Sequence, residues 1–235
     1  PNDYPDMSSS LMHIYLIEAG PRLLAGMSEE SSAHAEQFLR EMGVNILLNK
    51  RVVDYRDHKV VLEDGTEIAT RTFIWVSGVT GVTIGNLDAS LIGRGGRIKV
   101  DSFNRVEGMN NVFAIGDQCI QLADENYPNG HPQLAQVAIQ QGELLAKNLI
   151  RMEKGQEMKP FHYRNLGSMA TVGRNRAVAE FSKVKMQGWF AWVMWLVVHL
   201  RSILGVRNKV IVLLNWVWNY FTYDQSMRMI VYARK

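Results

Sequence analysis

Three predicted strands end in residues that could bind a polar ligand. These residues are Glu18, the pair Ser77-Gly78 and the pair Gly116-Asp117. Ligands of open α/β sheets bind beyond the carboxyl ends of the strands. A carboxylate such as Glu18 can accept two hydrogen bonds from a ribose diol there, and a residue without a Cβ, such as Gly78, lets a flat ring approach the backbone. Asp117 would place an acceptor beside a chain of sugar-like hydroxyls.

Each of these positions has a simpler interpretation. An acidic residue at the end of a strand is more often an ordinary loop acid. The glycine fingerprint of a dinucleotide site should begin roughly 20 residues before Glu18, which falls at or before Pro1. The segment "GRGGR" from Gly93 does not replace it, because a strand rather than a helix follows.

The elements that must position these residues alternate between strand and helix patterns. Compact apolar runs predict strands at residues 14–17, 44–48, 72–78 and 112–115. Residues 28–43 predict a helix capped by Ser28, and Asp64-Gly65 predicts a hairpin within a β-meander. A second helix is predicted from His131, with Pro132 in its first turn. Two short strands around a glycine turn follow at residues 168–181, and the fold class is therefore α/β with one antiparallel insert.

Charge divides the chain into two parts. The whole chain carries +3, but its acidic residues concentrate before residue 150 and its basic residues after it. Such a split predicts that the C-terminal part meets an anionic surface, either a membrane or a nucleic acid. The single cysteine, Cys119, excludes an intrachain disulfide and is predicted to be a small buried side chain.

The basic part also contains two apolar, tryptophan-rich segments. Residues 189–200 would form a helix roughly 18 Å long, which is too short to cross a hydrocarbon core of ~30 Å. Tryptophan prefers the headgroup boundary, so two helices lying in one leaflet fit best. Buried core helices or a dimer interface are the alternatives. Nucleic-acid binding is disfavoured, because it would leave much apolar surface in water, and no second metal ligand accompanies His199.

Several motifs together carry a family resemblance. The stretch "NNVFAIGD" at residues 110–117 resembles the second FAD-binding signature of two-dinucleotide-domain flavoprotein reductases. Three further stretches resemble type II (non-proton-pumping) NADH:quinone oxidoreductases more narrowly: "AQVAIQQG" (135–142), "LGSMATVGRNRAVAEF" (166–181) and "RNK…WVWNYFTYDQSMRMI" (207–209 and 216–230). The similarity covers nearly the whole chain, but only the C-terminal half or so of such an enzyme.

The resemblance implies a fold and a domain division. It implies partial Rossmann-like dinucleotide-binding domains with an antiparallel β-meander, followed by a C-terminal β-hairpin and amphipathic membrane-surface helices. Residues 1–85 would be the latter part of the NADH-binding domain, and residues 86–150 the C-terminal part of the FAD-binding domain. Residues 151–235 would be the membrane-attachment region.

The resemblance also implies roles for the candidate residues. Gly116, Asp117, Ala135 and Gln136 would bind FAD, and Glu18, Ser77 and Gly78 would bind NADH. Gln136 and Gln140, which lie on one helix face, would line a quinone pocket; without the resemblance they would be interpreted as a solvated face. No catalytic acid or base is assigned, and no metal site is expected.

The function implied is that of a FAD-dependent NADH:quinone oxidoreductase on the cytoplasmic face of the inner membrane, attached peripherally to anionic lipid through residues 188–223. The resemblance leaves a homodimer open. The alternatives are a soluble FAD-dependent NAD(P)H reductase of a small redox protein and a non-catalytic membrane-binding module. Because both glycine fingerprints are missing, we expect this chain alone to bind FAD poorly and to be inactive.

Overall fold

The computed structural model describes residues 12–82, 84–182 and 184–222. These residues form two compact units. The first unit contains the described residues up to Phe73 and those from Gly167 onward, and the second contains residues 74–166. The tail motif beyond residue 222 lies outside the described residues.

The first unit begins with a strand–helix–strand segment. Strand β1 (Ile14–Ile17) pairs in parallel with β2 (Val44–Leu47), and α1 (Glu29–Glu41) connects them. Ser28 caps α1 as predicted, since its side chain accepts a hydrogen bond from the Ser31 N–H, and Glu29 and Glu30 complement the positive end of the helix dipole. Gly43, with a φ of 83°, follows the helix.

The predicted β-meander is confirmed. Strands β3 (Val52–Arg56), β4 (Lys59–Leu62) and β5 (Glu67–Ala69) pair antiparallel in the order β3-β4-β5. Gly65, with a φ of 83°, makes the second turn as the Asp-Gly signal predicts. The first turn uses Asp57 and His58, both with positive φ, which is the geometry of a two-residue type I′ hairpin.

The C-terminal part of the first unit is a three-stranded sheet covered by a helix. Strands β8 (Ser168–Thr171), β9 (Ala177–Phe181) and β10 (Val184–Gln187) pair antiparallel in the order β10-β9-β8. The predicted hairpin β8–β9 is therefore present, and β10 extends it. Helix α3 (Gly188–Ser202) packs on this sheet around three fully buried alanines (Ala177, Ala179 and Ala191), and α4 (Val206–Thr222) follows.

The second unit contains little regular strand. Strands β6 (Ile98–Val100) and β7 (Cys119–Gln121) form a short parallel pair, and α2 (Ala135–Glu153) is the long helix. The core includes Ile98, Val100, Val106, Ala114 and Cys119.

Three sequence predictions about residues 72 to 152 were wrong. Residues 72–78 are not a buried strand: Ile74 and Val76 are 74% and 84% exposed, and no strand in the described part of the chain pairs with them. Residues 112–115 are extended, but within the described chain they form one isolated β-bridge, between Phe113 and Arg105. They form no regular strand because the segment opposite them is an irregular loop. Helix α2 begins at Ala135, so Pro132 precedes the helix instead of lying in its first turn.

Candidate functional site

The predicted binding pair Gly116-Asp117 lies in a single 3₁₀ turn, Gly116–Gln118, which we name the 116–118 turn. Gly116 has a φ of +65°, a conformation that favours glycine. A Cβ at this position would lie 3.2 Å from the Ala138 Cβ on α2. Glycine therefore permits both the bend of the chain and its close approach to the helix.

Two glutamine side chains fasten this turn. The Gly116 N–H donates to the Gln141 Oε1 at 2.6 Å, and Gln141 is 1% exposed. The Gln133 Nε2 donates to the Asp117 carbonyl at 3.1 Å. The backbone of the turn is thus fixed on both sides of the start of α2, while the Asp117 residue itself remains exposed.

The start of α2 lies beside the turn. Its N-cap residue, Leu134, makes no side-chain hydrogen bond to the helix, and Ala135 is exposed. The first N–H groups of a helix have no intrahelical acceptor, and the helix dipole adds positive potential at this end. The structure therefore places an acidic residue, a close-packed glycine and a helix N-terminus together.

The two glutamines predicted for the quinone pocket contact the segment that follows α2. The Gln136 Oε1 accepts from the Leu166 N–H at 3.1 Å. Gln140 makes two bonds to Arg164: its Nε2 donates to the carbonyl at 2.9 Å and its Oε1 accepts from the N–H at 3.0 Å. Both glutamines are half-buried.

Ser77 and Gly78 belong to the same unit as the 116–118 turn. Both are exposed, and the space around a Cβ at Gly78 is open. Val82, four residues after Gly78, is bonded to the 116–118 turn. The Gln118 side chain accepts from the Val82 N–H at 2.9 Å and donates to the Val82 carbonyl at 2.6 Å.

Glu18 lies in the first unit, directly after β1. Its N–H donates to the Leu47 carbonyl at 2.9 Å, which extends the parallel pairing by one bond. One carboxylate oxygen accepts from the Gly20 N–H at 2.7 Å, so the side chain is turned back over its own loop. This bond fixes the carboxylate and leaves it further acceptor positions.

Sequence reasoning missed a buried polar pair in the loop before α2. The His131 Nε2 and the Asp124 Oδ2 are 3.0 Å apart, with side chains 1% and 5% exposed. This hydrogen bond holds the pKa of Asp124 below its usual range. The rings of Tyr127, Phe161 and Tyr163 surround His131. Neither residue lies on a periodic element, so only the three-dimensional structure brings them together.

A buried arginine connects this loop to the turn. The Arg97 Nε donates to the Cys119 carbonyl at 2.6 Å, and its Nη2 donates to the His131 carbonyl at 3.0 Å. Cys119 is 1% exposed, as predicted, and burial raises the pKa of its thiol. Arg97 therefore stabilises the backbone of this region through its hydrogen bonds, and Cys119 is a packed core residue.

A second candidate surface lies on the two C-terminal helices. On α4, five apolar residues at helical spacing are exposed by 46% to 79%: Val206, Val210, Leu214, Val217 and Phe221. On α3, Phe190 is 71% and Val197 57% exposed. Exposed apolar helix faces are typical of surfaces that bind another protein or a membrane.

The interior side of the same helices is aromatic. The Trp195 ring stacks on His199 with a centroid distance of 3.7 Å, and Arg174 lies 4.8 Å from the centroid of the Tyr220 ring. Among the residues that the structure describes, no helix is both long and apolar enough to cross a membrane.

Comparison with known protein families gives two matches in succession along the chain. The pattern of the pyridine nucleotide-disulphide oxidoreductases matches residues 7–142. The pattern of the NDH2 C-terminal domain matches residues 165–223. The resemblance inferred from the sequence motifs is thereby confirmed.

Individual relatives agree with these matches. The type II NADH:quinone oxidoreductase NdhA of Mycobacterium tuberculosis is 34% identical over 223 residues, covering 89% of this chain and 46% of the relative. The internal alternative NAD(P)H-ubiquinone oxidoreductase A1 of Arabidopsis thaliana mitochondria is 32% identical, covering 89% and 44%. The chain thus spans about half the length of the curated relatives it matches.

A solved structure supports the fold. The structure of NDH2 from Plasmodium falciparum in complex with NADH superposes with a TM-score of 0.79 at 18% identity, covering 90% of this chain and 58% of that one. This similarity confirms the predicted α/β fold class.

Proposed function

The chain belongs to the pyridine nucleotide-disulphide oxidoreductase family, and from this premise we propose that the natural protein containing it is a type II NADH:quinone oxidoreductase. In this proposal the enzyme oxidises NADH through bound FAD and reduces a membrane quinone. The observation that carries the proposal is the 116–118 turn, a close-packed glycine followed by an exposed aspartate beside the start of α2.

The residues around the turn fit a flavin nucleotide. Asp117 is exposed and its backbone is fixed, so its carboxylate can accept hydrogen bonds from the ribityl hydroxyls. Gly116 has no side chain to occupy the space between the turn and α2. Ala135 and Gln136 begin a helix whose N-terminal end favours negative charge. When bound, FAD would supply a ring that accepts hydride from NADH and passes two electrons onward.

The NADH residues remain those proposed from the sequence. Glu18, held by the Gly20 N–H, would accept hydrogen bonds from the adenosine ribose, and its charge would repel a 2′-phosphate. Ser77 and the open backbone at Gly78 would border the nicotinamide. These residues bind and orient; we assign no proton transfer to any of them.

The quinone would approach the N-terminal half of α2. Gln136 and Gln140 lie there with Ile139, which is 57% exposed and offers an apolar contact to a quinone ring. Because quinone is dissolved in lipid, this site needs a route from the membrane, and the C-terminal helices would supply the attachment.

We propose peripheral attachment to anionic lipid through residues 188–223, at the cytoplasmic face of the inner membrane. The exposed stripe of α4 and the outer face of α3 would enter the headgroup boundary. Arg201, Arg207 and Lys209 flank the apolar segments, and no acidic residue occurs from residue 188 to residue 222. We propose that residues 1–85 serve NADH binding, residues 86–150 FAD binding and residues 151–235 membrane attachment. This division follows the proposed ligands and does not coincide with the two compact units.

The flavin spectrum of the natural protein tests the function. We expect its visible absorbance to bleach on addition of NADH and to recover on addition of a short-chain quinone. Bleaching by NADH and recovery with a small redox protein, but not with quinone, would contradict the proposal and favour a soluble reductase. Absence of bound flavin would favour a membrane-binding module.

Vesicle binding tests the attachment. Phe190→Glu combined with Leu214→Glu should abolish sedimentation with anionic phospholipid vesicles, because charge would enter the apolar face. Val53→Glu is the matched control, since Val53 is 56% exposed on the meander. Equal sedimentation of the double variant and the control would contradict the assignment of this surface.

A further inference from the structure

The residues proposed to border the nicotinamide begin a segment without regular structure. We name residues 77–82 the 77–82 segment; it starts with Ser77 and Gly78 and belongs to no sheet among the described residues. Hydride transfer between two rings needs the reacting atoms roughly 3–3.5 Å apart. An irregular segment can border such a ring reproducibly only if contacts other than a strand ladder fix its position.

One such contact comes from the 116–118 turn. The Gln118 Oε1 accepts from the Val82 N–H at 2.9 Å, and its Nε2 donates to the Val82 carbonyl at 2.6 Å. A single carboxamide thus bonds both backbone groups of Val82, as a neighbouring peptide group would. Gln118 directly follows Asp117, the residue that we propose binds FAD.

A second contact comes from a glycine-rich loop, residues 93–97, which we name the 93–97 loop. The Gly81 N–H donates to the Gly95 carbonyl at 2.7 Å. A Cβ at Gly81 would lie 2.4 Å from the Gly96 carbonyl oxygen, and a Cβ at Gly96 would lie 2.8 Å from the Gly81 carbonyl oxygen. The two backbones therefore approach each other at a distance that glycine permits and a side chain would prevent.

The 93–97 loop is itself bonded to the chain just after the 116–118 turn. Its last residue, Arg97, is buried and donates from Nε to the Cys119 carbonyl at 2.6 Å. Cys119 directly follows Gln118. Gly81 and Val82 are therefore both held from the same place in the chain, the end of the 116–118 turn.

We propose that Gln118 is a positioning residue for hydride transfer, which fixes Ser77 and Gly78 at a set distance from the flavin turn. The contact of Gly81 with Gly96 has the same effect through the backbone. Gly78 precedes Gly81 by three residues, so its Cα stays within about 11 Å of the Gly81 Cα, and a shift of the contact moves the nicotinamide border. The inference rests on the proposed function for both ligands, and it deepens that assignment.

The flavin turn does not depend on the Gln118 amide for its own shape. Its backbone is held by Gln141 at the Gly116 N–H and by Gln133 at the Asp117 carbonyl. Loss of the Gln118 amide should therefore leave FAD bound and should act on the step in which the two ligands meet.

Transient kinetics of the natural protein test this role. Gln118→Met keeps the length of the side chain but makes neither bond to Val82. We expect the first-order rate of flavin bleaching at saturating NADH to fall roughly tenfold, because misplaced reacting groups transfer hydride slowly. The dissociation constant of FAD and the rate of reoxidation by quinone should not change. Gln156→Met, at an exposed glutamine of the same unit, is the matched control and should behave as the natural protein does.

Gly81→Ala tests the backbone contact separately. Its Cβ would push the Gly96 carbonyl away, so bleaching by NADH should slow by a similar factor. Gly85→Ala is the control, because nothing lies within 4 Å of a Cβ at that position. Unchanged FAD affinity in both variants would show that the flavin turn is intact.

Amide hydrogen exchange of the natural protein without NADH tests the contact of Gln118 with Val82. In Gln118→Met we expect the Val82 amide to exchange roughly fivefold to tenfold faster, as for the loss of one ordinary hydrogen bond. The Gly116 amide, which donates to Gln141, should be unchanged.

Bleaching as fast in Gln118→Met as in Gln156→Met would overturn the positioning role. A parallel loss of FAD affinity in Gln118→Met would also overturn it, because Gln118 would then be shown to stabilise the flavin turn. Absence of bleaching in the natural protein itself would instead contradict the proposed function. The exchange rate at Val82 would still decide whether the contact exists, because it depends on neither ligand.

Discussion

The two compact units hold their backbones in different ways. Among the described residues of the first unit, eight strands pair in three sheets, and the turns between them follow the φ requirements of Gly43, Gly65 and the Asp57-His58 pair. Among the described residues of the second unit, only β6 and β7 pair as strands, three residues each. Outside these strands, side-chain carboxamides bond the backbone at four further places: Gln118 to Val82, Gln141 to Gly116, Gln140 to Arg164 and Asn148 to Lys159.

This difference bears on where the proposed ligand residues lie. A strand ladder satisfies its backbone groups by a repeating pattern that tolerates most side chains. A carboxamide contact fixes one backbone group at one place, and it fails when that one residue changes. All but one of the proposed ligand residues lie in the second unit, where such contacts set the geometry; Glu18, at the end of β1, is the exception.

The largest effect is expected from Gly116→Ala. A Cβ at φ +65° near the Ala138 Cβ combines backbone strain with overpacking, so we expect a loss of about 2–4 kcal/mol in the unfolding free energy of the second unit. Gly108→Ala is the control, because Gly108 has a φ of +75° but open space around it. Urea unfolding followed by residue-resolved hydrogen exchange would measure both. Equal losses would show that strain alone matters at Gly116.

The second effect is expected from Gln141→Leu. It leaves the Gly116 N–H without its buried acceptor, which costs about 1–3 kcal/mol. Gln37→Leu on α1, where the amide is exposed, should change stability by less than about 0.5 kcal/mol. The same unfolding experiment applies. If the two variants lost equal stability, the contrast between the units would be wrong.

A smaller effect is expected in the first unit from Ser28→Ala. This change removes the N-cap of α1 and the bond from Ser28 to Glu180, at a cost of about 1 kcal/mol. Gln37→Ala, at an exposed position of the same helix, is the control. Thermal unfolding should separate the two variants by a few degrees, and amides of the second unit should be unaffected. Loss of hydrogen-exchange protection around residues 116–118 in Ser28→Ala would contradict the claim that Ser28 stabilises the first unit only.

The smallest effect concerns pH. The bond from His131 lowers the pKa of Asp124, so this carboxylate stabilises the fold above the usual aspartate range, and the contribution is lost as the pH falls through its lowered pKa. We therefore expect Asp124→Asn to be less stable than the natural sequence at neutral pH, and the difference to shrink in acid. Urea midpoints at a series of pH values would measure this. A difference independent of pH would show that the charge of Asp124 does not matter.

The sequence predicted elements whose signals are local. The Ser28 cap, the Asp64-Gly65 turn and the strands β8 and β9 each depend on neighbouring residues, and all are present. The predicted strands at residues 72–78 and 112–115 depended on apolar runs alone. A strand also needs a partner with free backbone groups, and a run of apolar residues does not reveal whether one exists.

Part of the candidate site could also be predicted, because some of its signals are local. The motif "AIGD" singled out Gly116 and Asp117 as candidate residues, and the spacing of Gln136 and Gln140 predicted that both lie on one helix face. The contacts of Gln141, Gln133 and Gln140 were not predictable, because they join residues between 16 and 25 positions apart through irregular backbone. The pair of Asp124 and His131 was missed because it belongs to no periodic element.

Flavin binding to Asp117→Asn in the natural protein tests the central claim most directly. Asparagine keeps the size of the side chain but loses the charge and one acceptor oxygen. If Asp117 holds the ribityl hydroxyls, the dissociation constant of FAD should rise roughly tenfold or more, as for a charged hydrogen bond. Glu107→Gln, an equivalent change at an exposed acid of the same unit, should leave it unchanged. Equal FAD affinity in both variants would contradict the assignment of the 116–118 turn as the flavin site.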